Sequence, residues 1–145
     1  MNDAAGIERL GALCGTWHTS GDVLGRNGEP SAPFTATDSY QWLPGRHFLV
    51  HHWDAAMPDG RSQGIEMIGY DAESDHFPMH AYDSDGNVTE MAGIYNGSSM
   101  QFEGAGVRFR GAFNADCNVI TGTWEVQPEG NGWLPWMHVT LTRQE

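Results

Sequence analysis

The spacing of hydrophobic positions changes once, at Gly15. Before it, Ile7, Leu10 and Leu13, with Cys14 following, recur at intervals of three and four, the period of one short amphipathic helix. A helix this brief cannot stand alone in water, so the pattern predicts that it lies across something apolar, such as the end of a barrel. After Gly15 the helical period disappears and turn signals arrive at short intervals. They include Asn27-Gly28, Pro44-Gly45, Asp59-Gly60, Asp85-Gly86, Asn96-Gly97 and Gly104 to Gly106. Asn-Gly and Asp-Gly pairs supply the positive φ angles that tight hairpins need. Between the turns lie strand-length segments rich in aromatic and β-branched residues. Ten strands are predicted: 15–23, 34–43, 47–57, 63–70, 76–83, 88–95, 98–103, 107–114, 119–126 and 133–142.

Every connection is short enough for a neighbour-to-neighbour meander, and closing such a sheet removes both exposed edges. The expected fold is all-β: a closed, antiparallel, up-and-down, ten-stranded β-barrel behind a short N-terminal helix. There is no internal repeat, low-complexity tract or linker, so residues 1–145 read as one domain. The 19 glycines exceed the usual share of about 7% and fit many short strands joined by turns.

Charge narrows the function classes. The net charge is −12, from 19 acidic and 7 basic side chains, a balance that repels phosphate backbones and anionic lipid head groups. Nucleic-acid and membrane partners are not expected. No apolar run approaches the roughly 20 residues of a membrane span, and residues 1–13 lack the basic start and apolar stretch of a secretory signal. Cys14 and Cys117 form no CxxC and read as reduced thiols that pack as small apolar groups in a cytoplasmic protein. A homodimer is compatible with these features.

Strand alternation decides which side chains share a face. In 47–57, Phe48, Val50, His52 and Asp54 oppose His47, Leu49, His51 and Trp53, and both sets mix polar with apolar residues. Which of the two faces inward stays open. In 63–70, Glu66 and Tyr70 share one face; in 76–83, His80 and Tyr82 do so; in the last strand, Trp136, His138 and Thr140 oppose Met137, Val139 and Leu141. A ligand-binding barrel needs cavity walls with a few polar groups among them. The set His52, Glu66, Tyr70, His80, Tyr82, Trp124, Trp136 and His138 fits such a lining, although an exposed strand face also collects these residue types. The leading expectation is a carrier of a small, largely apolar or aromatic molecule. The alternative is an enzyme, an isomerase, cyclase or hydrolase, in which Glu66 works with His52 or His80 as acid and base. No Ser-His-Asp order, nucleophile elbow or phosphate loop is present. No metal is expected either. His51 and His52 point to opposite faces, and His76 and His80 stand about 13 Å apart along their strand, too far for shared zinc ligation; only a cross-strand set such as His52, His80 and His138 would remain.

Leu10-Gly-Ala-Leu-Cys-Gly15-Thr-Trp17 resembles the opening of lipocalin-like (calycin) barrels, where a Gly-x-Trp on the first strand follows a short helical turn. Tyr40-Gln-Trp-Leu-Pro-Gly45-Arg-His-Phe-Leu-Val50, Ile68-Gly-Tyr-Asp71, Gly86 and Gly93 follow in an order similar to an uncharacterised bacterial family of lipocalin-like domains, over nearly the whole chain. The resemblance implies that Trp17 plugs the closed end of the barrel. Gly15-Thr-Trp17 and Met137-His138-Val139-Thr140 also resemble the first and last strands of nitrobindin, a ten-stranded haem-binding barrel whose haem ligand is a histidine on the final strand. That likeness offers His138 as an axial ligand, with Trp136, two residues earlier on the same face, as the neighbouring candidate for the equivalent position. Otherwise no cofactor is expected.

Overall fold

A computed structural model describes residues 6–25, 27–129 and 132–144. A short 3-10 helix, Glu8–Leu13, precedes ten strands: β1 Gly15–Leu24, β2 Pro30–Trp42, β3 Leu49–Met57, β4 Gly60–Ile68, β5 Phe77–Asp83, β6 Val88–Tyr95, β7 Ser99–Gly104, β8 Val107–Phe113, β9 Val119–Val126 and β10 Leu134–Arg143. Each strand pairs antiparallel with its neighbours in sequence, and β1 pairs with β10 to close the barrel. The expected architecture is therefore the observed one.

Several boundaries differ by one to four residues, β4 among them at Gly60–Ile68 rather than 63–70, and two differ for identifiable reasons. β2 begins at Pro30 rather than 34. β3 covers β2 only from Thr35 onward, so Pro30 and Pro33 lie where β2 has β1 alone as a neighbour, and a missing N–H on the open side costs no ladder bond. β3 begins at Leu49 rather than 47 because the chain turns first. Arg46 N–H donates to the Leu43 carbonyl, and Gly45 and Arg46 both have positive φ. His47 and Phe48 thus precede the strand. A two-residue hairpin joins β7 to β8 through Ala105-Gly106, with φ of 54° and 77°. Two positive φ angles in succession match the right-handed twist of the flanking strands.

Inside, the barrel is packed at one end. Leu10 and Leu13, three apart and so on one side of the 3-10 helix, are buried over Trp17, Leu49, Ile68, Phe77, Tyr95 and Ile120. Trp17 is 0% exposed and donates its indole N–H to the Leu13 carbonyl. Arg143, inward on β10, stacks over the Trp17 ring and donates to the carbonyls of Ala12, Cys14 and Cys117. One planar fork thereby binds the helix, its exit and the β8–β9 loop to the last strand.

Candidate binding chamber

Burial of the inward-facing residues changes along the barrel axis. At the helix end Trp17, Leu49, Phe77 and Ile120 are sealed. Toward the opposite end, Trp53, Met57, Met91, Phe102 and Trp124 also point inward but are only half-buried. Ala81 follows the same trend. It shares the inner face of β5 with buried Phe77 and Met79, yet keeps accessible surface. These side chains face the barrel axis and still meet solvent, although Phe34, Ala55 and Met137 near them are buried, and they mark the candidate chamber at the end away from the helix.

Its walls are aromatic. Phe102 stacks on Phe109, Phe109 meets Trp124, and Trp136 stands edge-on to Trp124, with centroid separations of 5.6, 5.0 and 6.5 Å. Glycine makes room for the rings. A Cβ at Gly122 would meet the Phe109 ring at 2.4 Å, and one at Gly64 would meet the Trp53 ring at 2.2 Å and the Tyr82 carbonyl at 2.6 Å.

At mid-depth sits a polar cluster built by β1 to β4. His51 pairs across the ladder with Tyr40 and Glu66. Its Nε2 lies 2.7 Å from Asp38 Oδ1, and its Nδ1 lies 3.1 Å from Glu66 Oε1. The Thr19 hydroxyl donates to Asp38 Oδ2 at 2.5 Å. Tyr40 stacks on the imidazole at 4.2 Å, nearly parallel, and Trp53 flanks it at 5.9 Å. Burial alone would lower the His51 pKa, but the hydrogen bonds and charges of Asp38 and Glu66 outweigh it and raise the value to about 9. His51 is thus an imidazolium at neutral pH, donating from both nitrogens. Burial, with the charges of Asp38 and Glu66, holds the Tyr40 phenol well above its ordinary range.

The structure divides the residues singled out from sequence. Glu66 and Trp124 face the chamber, and Trp136 packs at its rim in the irregular start of β10. His52, His80, Tyr82 and His138 face outward, which corrects their expected inward placement. His52 borders a shallow depression of about 470 Å³ with Thr37, Ser39, Asp54 and Gln63 on the outer wall. His80 Nε2 is 3.6 Å from Glu90, and Tyr82 is 46% exposed. Tyr70 lies beyond β4 at the plugged end, where its hydroxyl donates to Asp75 and Arg9 covers its ring. Glu66 therefore meets neither His52 nor His80, and the expected acid–base pair is not assembled. The missed residues are Thr19, Asp38, Tyr40, His51 and Trp53. One signal pointed to them: Leu49, Trp53, Ala55 and Met57 make the His51 face of β3 apolar on four positions of five, the mark of an inner face.

Haem does not fit. His138 stands on the outer wall with Nδ1 3.0 Å from the Thr123 hydroxyl, and His51, which does face the interior, has both ring nitrogens occupied by carboxylates. Among the described residues no group of three or more His, Cys, Asp or Glu is arranged to hold a metal ion.

Fold and chamber together define the class: a closed ten-stranded antiparallel barrel, plugged at one end by a short helix and lined by aromatic rings toward the other. The crystal structure of Rv2717c from M. tuberculosis has a similar fold, with a TM-score of 0.68 at 14% identity over 99% of this chain and 100% of that one. The chain belongs to the family described as Protein of unknown function (DUF1579), whose model matches residues 7–143. No curated protein matches it. Among the described residues no helix is long and apolar enough to cross a membrane.

Proposed function

We propose that the barrel binds a small, largely apolar or aromatic molecule in the chamber between Trp53, Phe102, Trp124 and the His51 cluster. The observation that carries this reading is a set of inward side chains that stay half-buried at the end away from the helix, Trp53, Met57, Met91, Phe102 and Trp124, around a half-buried Ala81. A barrel serving stability alone gains by filling that end, since each buried large side chain contributes roughly 1.5–3 kcal/mol. A mostly apolar cavity with a few fixed polar groups is the usual form of a small-molecule site, and the resemblance to lipocalin-like barrels points the same way. The acid–base alternative loses its support with the separation of Glu66 from His52 and His80. The free thiols of Cys14 and Cys117 accord with a reducing, cytoplasmic setting.

The test uses prodan, a neutral naphthalene fluorophore. Saturable binding is expected in the native protein. Ala81→Trp, which fills space beside Glu66 on the paired strand, should abolish it while the circular dichroism of the barrel persists. His52→Ala on the outer wall should leave it unchanged. Binding that survives Ala81→Trp, or is lost in His52→Ala, would place the probe elsewhere and defeat the proposal.

A further inference from the structure

We propose that the chamber selects an organic cation, a molecule with an aromatic or apolar body and a protonated amine, whose ammonium group donates to Glu66 Oε2. This rests on the binding reading above and names the ligand class of the same site.

The first support is the valence of Glu66. It is 9% exposed and faces the interior. Its Oε1 is taken by His51 Nδ1, while no described group donates to Oε2. Nor is Oε2 sealed from solvent, since the Tyr95 hydroxyl is the one buried side-chain polar atom without a partner among the described residues. A carboxylate held in place by one oxygen and open at the other is a directed acceptor, and an ionised acceptor forms hydrogen bonds roughly twice as strong as a neutral one.

The second support is the charge of the cluster. Asp38 and Glu66 set two carboxylates against one imidazole, so the chamber floor keeps a net negative charge even with His51 protonated. Both imidazole nitrogens are spent internally, which leaves no cationic donor there for an anionic ligand. No described arginine supplies one. The chain has no lysine, and each described arginine is engaged: Arg9 with Asp75, Arg46 with Glu8, Arg61 with Asp54, Arg108 and Arg110 with Glu125, and Arg143 with three carbonyls at the plugged end. A carboxylate-bearing ligand such as a fatty acid would enter a negative chamber without a partner, at the full cost of desolvating its charge.

The third support is the wall. Trp53 flanks the cluster and Trp124 faces the same interior. Indole faces attract cations through the ring quadrupole, more so where water is scarce. The same rings pack against the apolar body.

Three probes that share a naphthalene body separate the outcomes: 1-naphthylmethylamine, 1-naphthalenemethanol and 1-naphthoic acid, titrated by calorimetry into the native protein at pH 7. The amine is expected to bind about ten-fold or more tightly than the alcohol, and the acid more weakly than both. In Glu66→Gln the ratio of amine to alcohol affinity should fall toward one. If the native protein binds the alcohol or the acid as tightly as the amine, the cation assignment is overturned while the binding reading stands. A ratio unmoved by Glu66→Gln overturns it too. If none of the three probes binds, the binding reading falls and takes this inference with it.

Discussion

At the residue scale, His51 is the pivot of the interior. Two carboxylates facing a barrel axis are costly unless paired, and the imidazolium between them offsets that cost with two charge-assisted hydrogen bonds. The consequence is a pH dependence of definite sign. The folded pKa is raised to about 9 from 6.5, so the stabilisation is complete below pH 6.5 and is lost as pH rises through 9. Its size is of order 3 kcal/mol. Urea unfolding at pH 6 and at pH 9.5 should show the native protein losing stability on that scale, and His51→Gln, which does not titrate, losing far less. The ring resonances of His51 should titrate with a midpoint near 9 by NMR. A midpoint near 6.5 would mean that the imidazole is not clamped as described.

At the scale of elements, β10 shows how differently the two faces of one strand weigh. Inward, Arg143 satisfies three carbonyls of the plug and covers Trp17. Arg143→Lys keeps the charge but loses the planar fork, and should cost about 2–3 kcal/mol in urea unfolding. Outward, His138→Ala should stay within about 0.5 kcal/mol. Comparable losses from the two would show that the faces of β10 are misassigned. That assignment is also where the sequence stopped being legible. Turn chemistry and strand-length segments carried the ten strands and their meander, because Asn-Gly and Asp-Gly pairs act locally. The inward parity of each strand is set by the whole barrel. The polar faces of β5 and β10 were expected to line a pocket, whereas Phe77, Met79 and Ala81, and Met137, Val139 and Leu141, face in. Most of this interior is packed core, for which plain apolar alternation was the better guide. Trp124 was found because Ile120, Gly122 and Val126 share its face, whereas Glu66 was found only as a polar group that a lining needs, on a strand whose opposite face, with Ile65 and Met67, is at least as apolar. Asp38 was missed because an acidic residue alternating with Ala36 and Tyr40 reads equally well as solvent-facing.

At the scale of the molecule, the barrel is asymmetric along its axis. The helix, Arg143 and a sealed set of rings close one end, and half-buried aromatic and methionine side chains line the other. Strand closure makes this division possible, since the ladder supplies stability around the whole circumference and frees one end from packing. A ligand is expected to enter that end rather than settle in the outer depression bordered by His52, Asp54 and Gln63. NMR of the protein titrated with prodan tests it directly, read at the methionine methyl groups, the tryptophan indoles and the backbone amides. Saturable shifts are expected at Met57, Met91 and Trp124, with Trp17 unmoved behind the plug. Shifts confined to His52, Asp54 and Gln63, with the interior methyl groups silent, would contradict it.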